Sequence, residues 1–251
     1  MMVPDYTDKD VKLARILGWC VEWLQAFLLM ADDIMDGSTT RRGKPCWYKK
    51  DNVGVIAVND AFYLETCVYD ILRKYFRSKP YYVDLIDLFH ETTSQTVKGQ
   101  CLDLITAPAG GSYDLSNFTI EKYDAIVKWK TSYYSFYLPV ASAMYMAGIT
   151  DSSHNKAKDI LLKMGRFFQI QALARVNPQQ EALLQENYGC QDDNKVAKVK
   201  ELYKDLNLSD LYLKYEEESY QEILTMIDQY DGDLPKEVFV SFVNKIYKRK
   251  K

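Results

Sequence analysis

The chain is 251 residues long, 47% apolar and 27% charged, with a formal net charge of −3. So weak a bulk charge gives no reason to expect nucleic acid as a partner, and the low counts of glycine (11) and proline (7) disfavour a turn-rich β architecture. Five cysteines, odd in number and without a C-x-x-C pair, argue against a disulfide framework and for reduced thiols in a cytoplasmic protein.

In chain order, the opening MMVPDYTDKD carries acids and no apolar core, so no signal or transit peptide is expected. Residues 10–36 read as one helix. Glu22, Gln25 and Asp32 are expected to interrupt its apolar run short of the ~18 residues that a membrane span needs. A second helix is predicted over 55–76, closed by Arg-Ser-Lys-Pro, and a third from Pro80 to Thr106, closed by Ala-Pro-Ala-Gly-Gly. A fourth covers 121–146 with a kink at Pro139. Helices follow from 155 to 174, at 178–188, 193–206 and 211–230, and from Pro235 into KIYKRKK. No period-two strand, repeat or linker is evident, and the fold class is all-α, one domain over 1–251. His90 and His154 have no partner pattern and read as surface residues.

The stretch LLMADDIMDGSTTRRGKPCWY, residues 28–48, carries the chemistry. At about 100° per residue, Glu22, Gln25, Asp32 and Asp36 share one narrow arc of the first helix, with Asp33 at its border. The rest of that helix is apolar on most sides, so these acids are expected to be buried, where unpaired carboxylates are costly. Oxygen ligands at i and i+4 suit a magnesium ion that keeps waters and takes phosphate oxygens. The alternative is acids simply facing water, although the dipole disfavours acids at a helix C-terminus. An EF-hand is excluded, because the ligands at every second residue and the closing Glu are missing. Arg41 and Arg42 add planar cations suited to phosphate, so the segment describes a pocket for a greasy molecule with a diphosphate head.

Asp-Asp-Ile-Met-Asp followed by Arg-Arg-Gly resembles the first aspartate-rich motif of the trans-isoprenyl diphosphate synthases. KGQCLDLITAP, KTSYYSFYLPVASAMYMAG, MGRFFQIQ and KIYKRK resemble further blocks of the farnesyl-type animal members, in the family's order. The resemblance implies a helical bundle around a central prenyl diphosphate cavity, and magnesium-dependent head-to-tail condensation of isopentenyl diphosphate with an allylic diphosphate. It also implies a homodimer, for which the apolar stretch 55–69 is the candidate interface. Asp32 and Asp36 would hold metal with Asp33 beside them, supported by Asp103. Arg41 would hold the allylic diphosphate, and Arg42 and Gln25 the isopentenyl diphosphate. Lys130 and Thr131 would grip diphosphate and steady the cation region, and Gln169 belongs to the same set. Gln100 would face the metal site from the arc that also carries Thr92 and Thr96. Phe27 and Leu28 would floor the chain-elongation pocket.

Two family segments have no counterpart in the sequence. After Gln171 the text runs ALARVNPQQEALLQENYG where the family has a second aspartate-rich motif and a lysine loop, which reads as a deletion at 171/172. The family's opening helices, with their isopentenyl-binding segment, have no match before Met1. Besides an incomplete prenyltransferase, the sequence leaves open an inactive paralogue or splice form acting as partner subunit, and a family-derived terpene synthase.

Overall fold

Thr7 opens the first helix. Its Oγ1 accepts from the Asp10 amide while the Asp10 carboxylate accepts from the Thr7 amide, a reciprocal cap that satisfies two of the donors left free at a helix start. The structure is a computed structural model, and it describes residues 7–107, 117–150, 152–167, 183, 186–187 and 192–247. Helix α1 spans Asp8–Met35, followed by the two-residue strands β1 (Thr40–Arg41) and β2 (Lys44–Pro45) and a 3-10 turn at Trp47–Lys49. Then come α2 (Ile56–Phe76), α3 (Tyr82–Thr106), α4 (Ile120–Ile126), a π-helix (Val127–Tyr137) and α5 (Leu138–Met146). The described part ends with α6 (Ser153–Phe167), α7 (Asp193–Asp205), α8 (Leu208–Gln229) and α9 (Lys236–Ile246). The architecture is all-α, as expected, apart from the small hairpin.

Leu13, Leu17, Cys20, Leu24 and Phe27 recur every three or four residues on α1 and form one buried stripe, which packs chiefly on Ala61, Val68, Leu72 and Phe76 of α2. Among the described residues, α1 is the one helix long and apolar enough to cross a membrane, by length and composition alone. Glu22 falls inside every 18-residue window of this helix, and no more than two charged residues share the most apolar one. Here that apolarity serves the core, since one stripe faces α2 and Phe27 and Leu28 wall a cavity.

The predicted helix over 121–146 is three segments in different registers, and Pro139 lies in the first turn of α5 instead of at a simple kink. A proline inside an α-helix clashes with the carbonyl four residues back; the chain upstream takes the wider register instead, with the Leu138 amide donating to Tyr133 O. This π-helix is wedged between α3 and α6. His154 is not at the surface. It is 7% exposed, its Nε2 bonds Ile149 O at 2.7 Å, and its ring lies 4.2 Å from that of Tyr145. His90 is exposed, against Tyr69. The predicted end of the fifth helix, most of 178–188, and the 171/172 junction lie outside the described residues.

Candidate active site

The C-terminal end of α1 delivers three aspartates with no basic residue in its last turn, so the positive charge that the dipole favours must come from elsewhere. The hairpin supplies it. Arg41 pairs with Lys44 and Thr40 with Pro45 across a two-residue turn at Arg42 and Gly43, whose φ values of 54° and 76° are the left-handed pair that a type I′ turn requires. Gly43 takes that conformation freely; Arg42 does so at some steric cost. The hairpin is latched by the Cys46 amide on Thr39 O (3.1 Å), Tyr48 Oη on Ser38 O (2.8 Å) and Trp47 Nε1 on Asp60 (2.8 Å).

Folded back in this way, Arg41 reaches the helix end. Its Nε and Nη2 donate to Asp33 Oδ1 at 3.0 and 2.6 Å, and Nη2 also reaches Asp32 Oδ2 at 3.2 Å. The hydrogen bond to Asp33 raises the Arg41 pKa further, outweighing partial desolvation. Across the site, Lys130 at the start of the π-helix sets its Nζ 2.5 Å from Asp103 Oδ2 on α3 and 3.1 Å from Asp32 Oδ1 on α1. Burial alone would lower the Lys130 pKa, but the bond to Asp103 and the charges of Asp32 and Asp103 raise it, so it stays an ammonium. Asp36 caps α1 and is exposed, yet partial desolvation and then the neighbouring charge of Asp32 raise its pKa, partly offset by Lys130. Two cations are thus interleaved with four carboxylates.

Beneath this network lies a cavity of about 240 Å³, walled by Phe27, Leu28, Asp32, Gln100, Lys130 and Thr131 among others. Three buried polar atoms on its walls have no hydrogen-bond partner: Asp32 Oδ1, Thr96 Oγ1 and Gln100 Nε2. At 3.1 Å from Lys130 Nζ, Asp32 Oδ1 has ion-pair contact but no hydrogen-bond geometry. Buried polar atoms are normally satisfied, so this concentration marks a place where a polar ligand belongs.

The structure therefore brings Asp32, Asp33, Asp103, Arg41, Lys130, Thr131, Gln100, Phe27 and Leu28 to one region, with Asp36 at its edge. Gln25 lies elsewhere. It lines a neighbouring open groove of about 790 Å³ between α1, α5 and Phe242 of α9, which touches the first cavity only through Tyr134. Arg42 is exposed at the hairpin turn and makes no ion pair among the described residues. Gln169 is outside the described residues. Two further residues bear on the site. Gly99 on α3 lets the backbone at Lys130 approach, and Cys46 is buried behind the hairpin. The signals were a lone glycine inside the helical KGQCLDL, and a cysteine adjoining the arginine turn.

The chain matches the polyprenyl synthetase family over residues 1–172, more than half its length. It is 49% identical to the farnesyl pyrophosphate synthase of Bos taurus, in an alignment covering 100% of this chain and 80% of that protein. It is 46% identical to the farnesyl diphosphate synthase of Dictyostelium discoideum, covering 96% of this chain and 72% of that one. The fold superposes on T. brucei farnesyl diphosphate synthase complexed with bisphosphonate BPH-1326 with a TM-score of 0.86 at 27% identity, covering 97% of this chain and 98% of that chain. Folded as a helical bundle, with its acids and basic residues gathered over one cavity, the chain belongs to the polyprenyl synthetase family.

Proposed function

We propose that the protein is a magnesium-dependent prenyltransferase of isoprenoid biosynthesis, built to join isopentenyl diphosphate to dimethylallyl or geranyl diphosphate and give farnesyl diphosphate. The observation that carries this reading is the cavity with apolar walls at Phe27 and Leu28 and, at its polar end, Asp32 and Lys130, with Arg41 paired to Asp32 beside it. An allylic chain lies along the apolar walls, which also keep water from the carbocation. Its diphosphate meets Lys130 and Arg41, while Gln100 and Thr131 offer neutral polar contacts. Arg42 and Gln25 serve the isopentenyl diphosphate, and Gln169 belongs with Lys130 and Thr131 on the allylic side. As the allylic C–O bond breaks, its electron pair leaves with diphosphate; the isopentenyl double bond forms the new C–C bond, and a diphosphate oxygen takes the proton lost.

The donor set fits a hard divalent cation. Asp32 and Asp36 are one turn apart on α1, and Asp32 Oδ1 is buried with no hydrogen bond; Asp103 joins them. Among the described residues no three His, Cys, Asp or Glu side chains form a metal cage, so magnesium here would draw its other ligands from water and diphosphate, as it commonly does. When bound, the metal neutralises the departing diphosphate. A cytoplasmic location agrees with the free thiols of Cys20, Cys46, Cys67 and Cys101.

Titration calorimetry with geranyl diphosphate tests this reading. Binding is expected with magnesium, none in chelator, and none for Asp32→Ala. Equal affinity with and without magnesium would end it.

A homodimer forms part of the proposal. Val55, Ile56, Phe62 and Tyr63 on and beside α2 are exposed, the last two by 59% and 67%, apolar side chains that a second copy could cover. Phe62→Glu is expected to convert a sedimenting dimer to monomer with its helical circular dichroism unchanged. A wild-type protein that sediments only as monomer would count against the interface.

A further inference from the structure

The middle aspartate of the motif behaves unlike its neighbours. Both Arg41 Nε and Nη2 donate to one atom, Asp33 Oδ1, at 3.0 and 2.6 Å. These bonds occupy one edge of the guanidinium; Nη1 makes none among the described residues, and the side chain remains 37% exposed. Asp33 itself is buried, its side chain 7% exposed, and its carbonyl accepts the Ser38 amide at 2.9 Å. Cys46, 1% exposed, is tied by its amide to Thr39 O where the hairpin closes. Burial, and then the neighbouring Asp33, push the pKa of its thiol up.

We propose that Asp33 is a positioning residue: buried under the hairpin, it clamps Arg41 so that Nη1 faces an incoming diphosphate. A guanidinium is a rigid planar fork, so fixing two of its nitrogens fixes the direction of the third. The clamp explains why an acid of this motif is buried away from the cavity while Asp32 lines it. Preorganisation of this kind lowers the cost of ordering a long side chain on binding. The inference rests on the reading of the site as a diphosphate site.

Two measurements test it. Inorganic pyrophosphate is titrated calorimetrically, in saturating magnesium, into wild type, Asp33→Asn, Arg41→Lys and the double variant. Asp33→Asn alone is expected to weaken Kd about tenfold, the size of a misdirected charge-assisted contact. In the Arg41→Lys background the same change is expected to cost less than about twofold, because residues acting through one another are non-additive. An equal loss from Asp33→Asn in both backgrounds, as for a metal ligand, would overturn the clamp. Separately, 15N NMR without ligand is expected to show a slowly exchanging Arg41 Nε–H signal, assigned by its loss in Arg41→Lys and absent in Asp33→Ala, which removes the acceptor. Persistence of that signal in Asp33→Ala would also overturn the clamp. A wild type that shows the signal but binds no pyrophosphate would sink the diphosphate reading while leaving the clamp supported.

Discussion

Incubated with isopentenyl and geranyl diphosphates and magnesium, the 251-residue chain is expected to form farnesyl diphosphate far more slowly than the Bos taurus synthase that is 49% identical to it. The reason is charge. The described site holds Asp32, Asp33, Asp36 and Asp103 against Arg41 and Lys130, and both cations are already engaged by carboxylates. A diphosphate therefore approaches a site with no surplus positive charge, and its departure depends on divalent cations held between two acidic walls. By resemblance, the second wall and its lysine loop belong after Gln171, where the sequence continues ALARVNPQQ. The family match ends at residue 172, and the bovine alignment runs to 284 positions against 251 residues here, so the relative carries residues that this chain lacks. Loss of one preorganised electrostatic contact typically costs on the order of 10²–10³ in turnover, and here several are lost together. Binding should survive where turnover does not, since α1, Arg41 and Lys130 are intact. Turnover equal to that of the bovine enzyme, measured side by side, would mean that a single acidic wall is enough.

The long helices were legible because their cores repeat at helical spacing: α1, α2 and α3 begin and end within two residues of expectation. What escaped was register and approach. A hairpin of two-residue strands has no period to detect, and only its Arg42–Gly43 turn hinted at it. A π-helix shows the same apolar content as an α-helix, so Val127–Tyr137 was invisible except through Pro139 downstream. His154 carries no sequence mark of its bond to Ile149 O. In the site, the wheel of α1 grouped Gln25 with Asp32 and Asp36, but two turns of helix separate them, enough to put Gln25 on another groove. Bringing Lys130 onto both Asp32 and Asp103 needs three elements in contact, which neither spacing nor composition shows; the family resemblance supplied that grouping.

That contact sets the second large effect. A Cβ at Gly99 would sit 2.2 Å from the Lys130 amide nitrogen, 2.6 Å from Trp129 C and 2.7 Å from Lys130 Cα, all backbone atoms that no rotamer change can clear. Gly99→Ala must therefore separate α3 from the π-helix. Overpacking of this kind costs about 1–3 kcal/mol, which exceeds the ~1 kcal/mol that alanine gains in a helix interior. Displacement also works against the ion pairs, because Asp103 lies one turn beyond Gly99 on α3 and holds the Lys130 ammonium, together with Asp32 from α1. A misplacement of about 1 Å in a positioned group can cost roughly 10²-fold in activity, so geranyl diphosphate affinity and any residual turnover should fall together. Gly18→Ala on α1 is the control, since nothing lies within 4 Å of its added Cβ and it makes the same gain in helix propensity. Thermal melts are expected to place Gly99→Ala several degrees below wild type and Gly18→Ala at or above it, at about 2–4 °C per kcal/mol for a chain of this size. If Gly99→Ala instead melts with Gly18→Ala and binds geranyl diphosphate as the wild type does, α3 and the π-helix are not in backbone contact, and Lys130 is held by its ion pairs alone.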